Sequence, residues 1–226
     1  MCALAGLLAA CGLVDDARRT DDSPTTVSHQ ARVEAVKQVT VDGRQFATRC
    51  AGAADKPSVL LLSGYDTAMQ KAWDDVQARF GAFSHVCAYD RLGVGSSAKP
   101  PRRQTFTDMA DDLDGVLKAL KMQRPVVLVA HSLGGMVAVT WAESHRKAVA
   151  GMVLLDATPP SFVQLVLDKM PGDPAAKGGE LRAGLETLLS ANRNVEHLDG
   201  ATTFQGPTTL SPLGSAPVVA LSHTIS

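Results

Sequence analysis

The first feature missing from this sequence is an excess of charge. With a formal net charge of −1 over 226 residues, it has no basic surface to hold a phosphate backbone, so nucleic acid is not an expected partner. After residue 14 there is no apolar run long enough to cross a bilayer, and there is no internal repeat, so no repeat array is expected. Histidines and cysteines do not fall at ligand spacing, and no metal or other cofactor is expected. Gly93, Gly95 and Ser96 lie in a glycine-punctuated loop, but that loop lacks the lysine and the following helix start of a phosphate-binding loop. What is present, 45% hydrophobic and 20% charged residues, suits one globular domain with a substantial core.

The N-terminus, MCALAGLLAACG, is apolar, rich in small residues and ends at a cysteine. It resembles the end of a bacterial lipoprotein signal, with Leu8-Ala9-Ala10-Cys11 as the lipobox and Cys11 as the acylated residue. No basic residue precedes the apolar run, so either the true start lies upstream or the segment is a plain apolar terminus. Residues 12–30 follow as a charged, then Ser/Thr-rich flexible tether, so the expected division is 1–30 and a folded domain over 31–226. The signal reading implies an exported protein of the cell envelope or periplasm, held at the membrane by a lipid anchor.

Within the domain, ARVEAVKQVTV and RQFATRC alternate apolar and polar residues about Asp42-Gly43, a hairpin signature. SVLLLSG is a short buried-strand run, and TAMQKAWDDVQARF carries Met69, Trp73, Val76 and Phe80 at helical spacing. HVCAYD, PVVLVAH and AGMVLLD repeat the strand signal. TFTDMADDLDGVLKALK, N-capped at Thr105, and SLGGMVAVTWAESHRK supply helices between them. This rhythm predicts an α/β fold, a mostly parallel sheet with helices on both faces. From about 160 to 213 it is interrupted by helical segments, long enough for a lid over a site. The last run, APVVALSHTIS, starts as a strand.

The stretch VVLVAHSLGG carries the chemistry. A strand, then a small-x-Ser-x-small turn, then a helix is the context of a nucleophile elbow: the turn is sharp, so Ala130 and Gly134 must be small around His131, Ser132 and Leu133. Gly135 lets the helix pack closely, and the helix N-terminus adds positive potential near Ser132. The plainer alternative is a helix whose serine is only an N-cap.

Together LLLSGYD, VCAYDRLGVGSS, VLVAHSLGG and GMVLLDATPP resemble, in order and spacing, the α/β-hydrolase superfamily, specifically small exported or lipoprotein-like members with a YDRxGxGxS segment. The resemblance spans about residues 32–222. It implies a serine hydrolase of esterase type that forms an acyl intermediate on Ser132 of a small ester or acyl compound. The oxyanion donors would be the backbone N–H groups of Leu133 and Tyr65. Asp90 and Arg91 would hold the loop near the site. The second strand would pair with the fourth, bringing Cys50 and Cys87 together in a disulfide worth roughly 4 kcal/mol on the chain-entropy model; two buried free thiols are the alternative.

For the acid, Asp156 ends the strand GMVLLD at the sheet edge where ligands bind, or else is a turn-forming aspartate before ATPP. The base is the missing piece. His131 is fixed beside the nucleophile and points away from it, His85 and His145 sit at element ends, His29 lies in the tether and His197 in the insertion. His223 follows the last strand, where the family places no base. The expectation is therefore a C-terminally shortened hydrolase lacking its final strand and helix, either impaired or surviving as a non-catalytic binding protein.

Overall fold

A computed structural model describes residues 30–204 and 214–222; the expected lipid site Cys11, nearly all of the tether, residues 205–213 of the expected insertion, His29 and His223 lie outside them. β1 (Lys37–Val41) and β2 (Arg44–Ala51) form the hairpin. Asp42 and Gly43, at φ 47° and 75°, make the two-residue turn that a right-twisted ribbon needs. The alternation had suggested a strand from residue 31, yet pairing begins at Lys37 and resumes only where Val33 meets Ala51. Residues 34–36 stand against Arg49 and Cys50, one residue too many, so the chain bulges there.

β3 (Ser58–Leu62), β4 (His85–Tyr89), β5 (Val126–His131), β6 (Val149–Leu155) and β7 (Val218–Leu221) are parallel, and the sheet order is β1-β2-β4-β3-β5-β6-β7. Successive residues of β3 feed opposite layers. Val59 and Leu61 pack with Met69 and Trp73 of α1 (Met69–Gly81), whereas Leu60 and Leu62 join the layer of α2 (Phe106–Ala119) and α3 (Leu133–Ser144). α4 (Pro160–Lys169), α5 (Gly179–Leu188) and the short α6 (Gly200–Thr203) fill the stretch before β7. From β3 the chain leaves toward β4 on one side; from the adjacent β5 it leaves toward β6 on the other. Such a reversal opens a crevice at the carboxyl ends of β3 and β5.

α2 starts where the sequence indicated. Thr105 Oγ1 accepts the Asp108 N–H while the Asp108 carboxylate accepts the Thr105 N–H, a reciprocal cap worth about 1 kcal/mol. At the other end Asp114 ties α2 to α3, accepting from Arg124 (2.6 Å) and Trp141 Nε1 (3.2 Å) and pairing with Lys118 (2.7 Å). Partial burial raises its pKa, but these hydrogen bonds outweigh it and hold the carboxyl at about 2. A folded-state pKa below the ordinary 3.8 contributes stability above that value, which is lost as pH falls toward 2. Asp114→Asn is therefore expected to melt below the wild type at pH 6, with the gap closing between pH 4 and 2 in thermal melts.

Candidate active site

The crevice is built from the loop after β3, residues 63–66, and the turn after β5. Ser132 stands between β5 and α3 with φ 50° and ψ −122°, a conformation that L-residues rarely adopt. Its side chain makes no capping bond to α3, and its backbone lies outside the extended region an N-cap uses, so the plain N-cap alternative does not describe it. The turn tolerates no bulk. A Cβ on Gly134 would sit 2.5 Å from Ser63 O, and one on Gly135 2.6 Å from Ala157 Cβ. Ala130 is fully buried, and His131 is exposed beside the serine.

Gly64 brings the β3 loop onto this elbow: a Cβ there would lie 2.9 Å from His131 Nδ1 and 3.3 Å from Ser132 Cβ. Leu133 opens α3, so its N–H is one of the four that a helix leaves without an internal acceptor. Tyr65 follows Gly64, and its hydroxyl accepts a long bond from Val195 N at 3.4 Å. Ser132 N donates to Leu155 O and Asp156 N to Leu221 O, so β6 and β7 brace the Ser132 turn from one side. Asp156 itself has φ 45° and directly follows β6, which is adjacent to β5 in the sheet. Ser132 Oγ lies 3.2 Å from Thr158 Oγ1, a partner the sequence reading did not single out although it is two residues past Asp156.

Among the described residues no histidine hydrogen-bonds Ser132. His85 begins β4, at the amino ends of the parallel strands and so away from Ser132, and His145 stacks on Trp141 beyond the end of α3, ring centroids 4.8 Å apart. His197 lies in the segment after α5, where its carbonyl accepts from Gln104 N.

Asp90 and Arg91 explain the glycine-punctuated loop. Asp90 accepts from Met69 N (2.6 Å) at the start of α1 and from Ser96 N (3.4 Å), and Gly95 at φ 53° leaves no room for a Cβ against its carboxylate. Arg91, 4% exposed, donates to the carbonyls of Ser63 (2.6 Å) and Gly64 (2.8 Å) and pairs with Glu196, which is 0% exposed. Burial works against the guanidinium charge, but the Glu196 carboxylate more than offsets this and raises its pKa. Glu196 carried no signal in the sequence. An acid more than a hundred residues from its partner belongs to no local motif.

Cys50 and Cys87 are direct cross-strand partners in β2 and β4, their sulfurs 2.07 Å apart. His85 lies on the same face, its Nε2 3.7 Å from Cys87 Sγ, so three residues of metal-ligating types converge where linear spacing suggests none. Antiparallel pairing, which spacing does not show, brings them together. With the two sulfurs bonded to each other, the trio offers no thiolate to a metal.

The family model for the alpha/beta hydrolase fold matches residues 57–197. Among curated proteins, the uncharacterized YqjL of Bacillus subtilis is 31% identical over 124 residues, covering 53% of this chain and 47% of that protein. A haloalkane dehalogenase of Sphingobium indicum is 30% identical over 125 residues, covering 54% and 41%. The chain thus spans about half the length of these relatives or less. Among solved structures, a loop variant of a haloalkane dehalogenase from Bradyrhizobium elkanii superposes with a TM-score of 0.56 at 27% identity, over 72% of this chain and 51% of that one. A bacterial membrane phospholipase A superposes with a TM-score of 0.53 at 19% identity, over 83% and 78%, a likeness of fold alone.

Proposed function

Because the chain belongs to the alpha/beta hydrolase fold family, we propose that it is a serine hydrolase of esterase type acting through an acyl-Ser132 intermediate. The observation that carries this reading is the backbone of Ser132: a serine at φ 50° that makes no capping bond to α3 holds a costly conformation at the turn between β5 and α3. In the proposed reaction Ser132 Oγ attacks the acyl carbon and its proton passes to a base. The oxyanion then sits between the N–H groups of Leu133 and Tyr65. The leaving alcohol takes the proton; water, deprotonated by the same base, then attacks the acyl carbon, the bond to Ser132 Oγ breaks to release the acid, and the base returns the proton to Oγ. Asp156 would orient the base. No histidine among the described residues hydrogen-bonds Ser132, so this reading leaves the base unassigned. The dehalogenase relatives act on another substrate class. The resemblance assigns them an aspartate nucleophile, and a serine at that place favours acyl transfer.

Intact-mass labelling with a fluorophosphonate tests the reading directly. The folded chain is expected to take up one label per molecule, on the peptide containing Ser132. A folded chain that remains unlabelled would remove the esterase reading in favour of a binding protein that kept the pocket.

The compartment is part of the same proposal. Cys11 as a lipidated N-terminus would place the domain on the envelope side of a membrane, and a Cys50–Cys87 bridge is at home in an oxidising compartment.

A further inference from the structure

The loop that carries the Tyr65 donor does not hold its own shape. Ser63 O and Gly64 O both point at the Arg91 guanidinium, and the Asp66 N–H donates to Glu196 Oε1 at 3.0 Å. Glu196 also takes Arg91 Nε on Oε2 (2.7 Å) and Nη2 on Oε1 (2.8 Å), so one carboxylate fixes the arginine and the end of the loop together. Asp66 is at φ 46°, unfavourable for aspartate unless its surroundings impose it. A trans peptide is planar with its C=O and N–H opposed, so the Gly64 carbonyl facing Arg91 turns the Tyr65 N–H to the other side.

We propose that Glu196 is a positioning residue for the oxyanion loop, through which the segment following α5 sets the direction of the Tyr65 N–H. This rests on the Ser132 esterase reading for its catalytic meaning. The segment is suited to transmit position. Asn194 closes on Leu188 O, Ser190 O and Leu198 O, Gln104 grips Glu196 O and the His197 carbonyl, and a Cβ on Gly93 would lie 2.2 Å from Val195 O. Tyr65 is tied to the same place by its hydroxyl, through Val195 N. A substrate that displaced residues 194–198 would therefore also turn the donor.

The test compares the full chain with Glu196→Gln and Glu196→Asp, each shown to be folded by thermal melting. The shorter aspartate keeps a charge for Arg91 while withdrawing from Asp66 N, so it serves if the glutamine variant does not fold. The expected result is full labelling of Ser132 by fluorophosphonate in both variants, at a rate lowered ~10- to 100-fold per site, with faster amide exchange in the peptide covering 63–67. On an ester substrate kcat falls and KM holds, as for an interaction made only in the transition state. A role in folding alone would lower the fraction of labelled sites and leave the rate per site unchanged. An unchanged rate in variants of a labelled wild type overturns the proposal. Should the folded wild type not label, the esterase reading is what fails; exchange then decides for Glu196, faster at 63–67 supporting it and unchanged overturning it.

Discussion

Ser132→Gly is expected to abolish the proposed esterase activity and to make the protein more stable. Loss of the proposed nucleophile is expected to lower turnover, or labelling, at least ~1,000-fold. The same substitution removes the Cβ from a residue at φ 50° and ψ −122°, relieving about 1–2 kcal/mol of backbone strain. The extra freedom of glycine in the unfolded chain offsets up to about 1 kcal/mol of that. A net gain near 1 kcal/mol raises Tm by about 2–4 °C in a domain of this size. Ser132→Ala is the control, because it loses the hydroxyl and keeps the Cβ, so its melting temperature should stay near that of the wild type. Equal Tm for the glycine and alanine variants would mean that the turn stores no strain, and the physical ground for reading Ser132 as a nucleophile would go with it.

Arg91→Leu is expected to destabilise the protein by about 3–5 kcal/mol in denaturant unfolding. The cost comes chiefly from what stays behind: the Glu196 carboxylate, 0% exposed, keeps the Asp66 N–H as partner and loses both of its bonds to the guanidinium. Removing that charge as well, in Arg91→Leu/Glu196→Leu, should recover part of the loss, since an apolar pair can replace a buried ion pair at little cost. Recovery stays incomplete, because Ser63 O and Gly64 O still lack the donor they faced. If the single variant unfolds like the wild type, the pair is not the clamp of the loop that its geometry describes.

Much of this fold could be read along the chain because its signals are local. β3 reads as buried on both faces because all five of its residues are apolar or small. α2 announces its start through Thr105 and Asp108, and Asp42-Gly43 names its own turn. The elbow was legible for the same reason, since sharp turning within five residues demands small neighbours wherever it occurs. The N-terminal strand misled because alternation reports which side residues face and not whether an extra one interrupts the ladder, and here residues 34–36 bulge.

The site divides along the same line. By itself the sequence determined the order of strands and helices, the place of Ser132 and the small residues around it, because each depends on neighbours within a few positions. The pairing of β2 with β4, which puts Cys50 opposite Cys87, came from the family resemblance and not from spacing, and tertiary structure alone decided that Thr158 meets the serine hydroxyl and that Glu196 closes on Arg91 beneath the loop after β3. These contacts join residues 26 to 105 positions apart. Their pairing is set by sheet order and by the need of a buried charge for a counter-charge, and neither leaves a pattern in the linear chain.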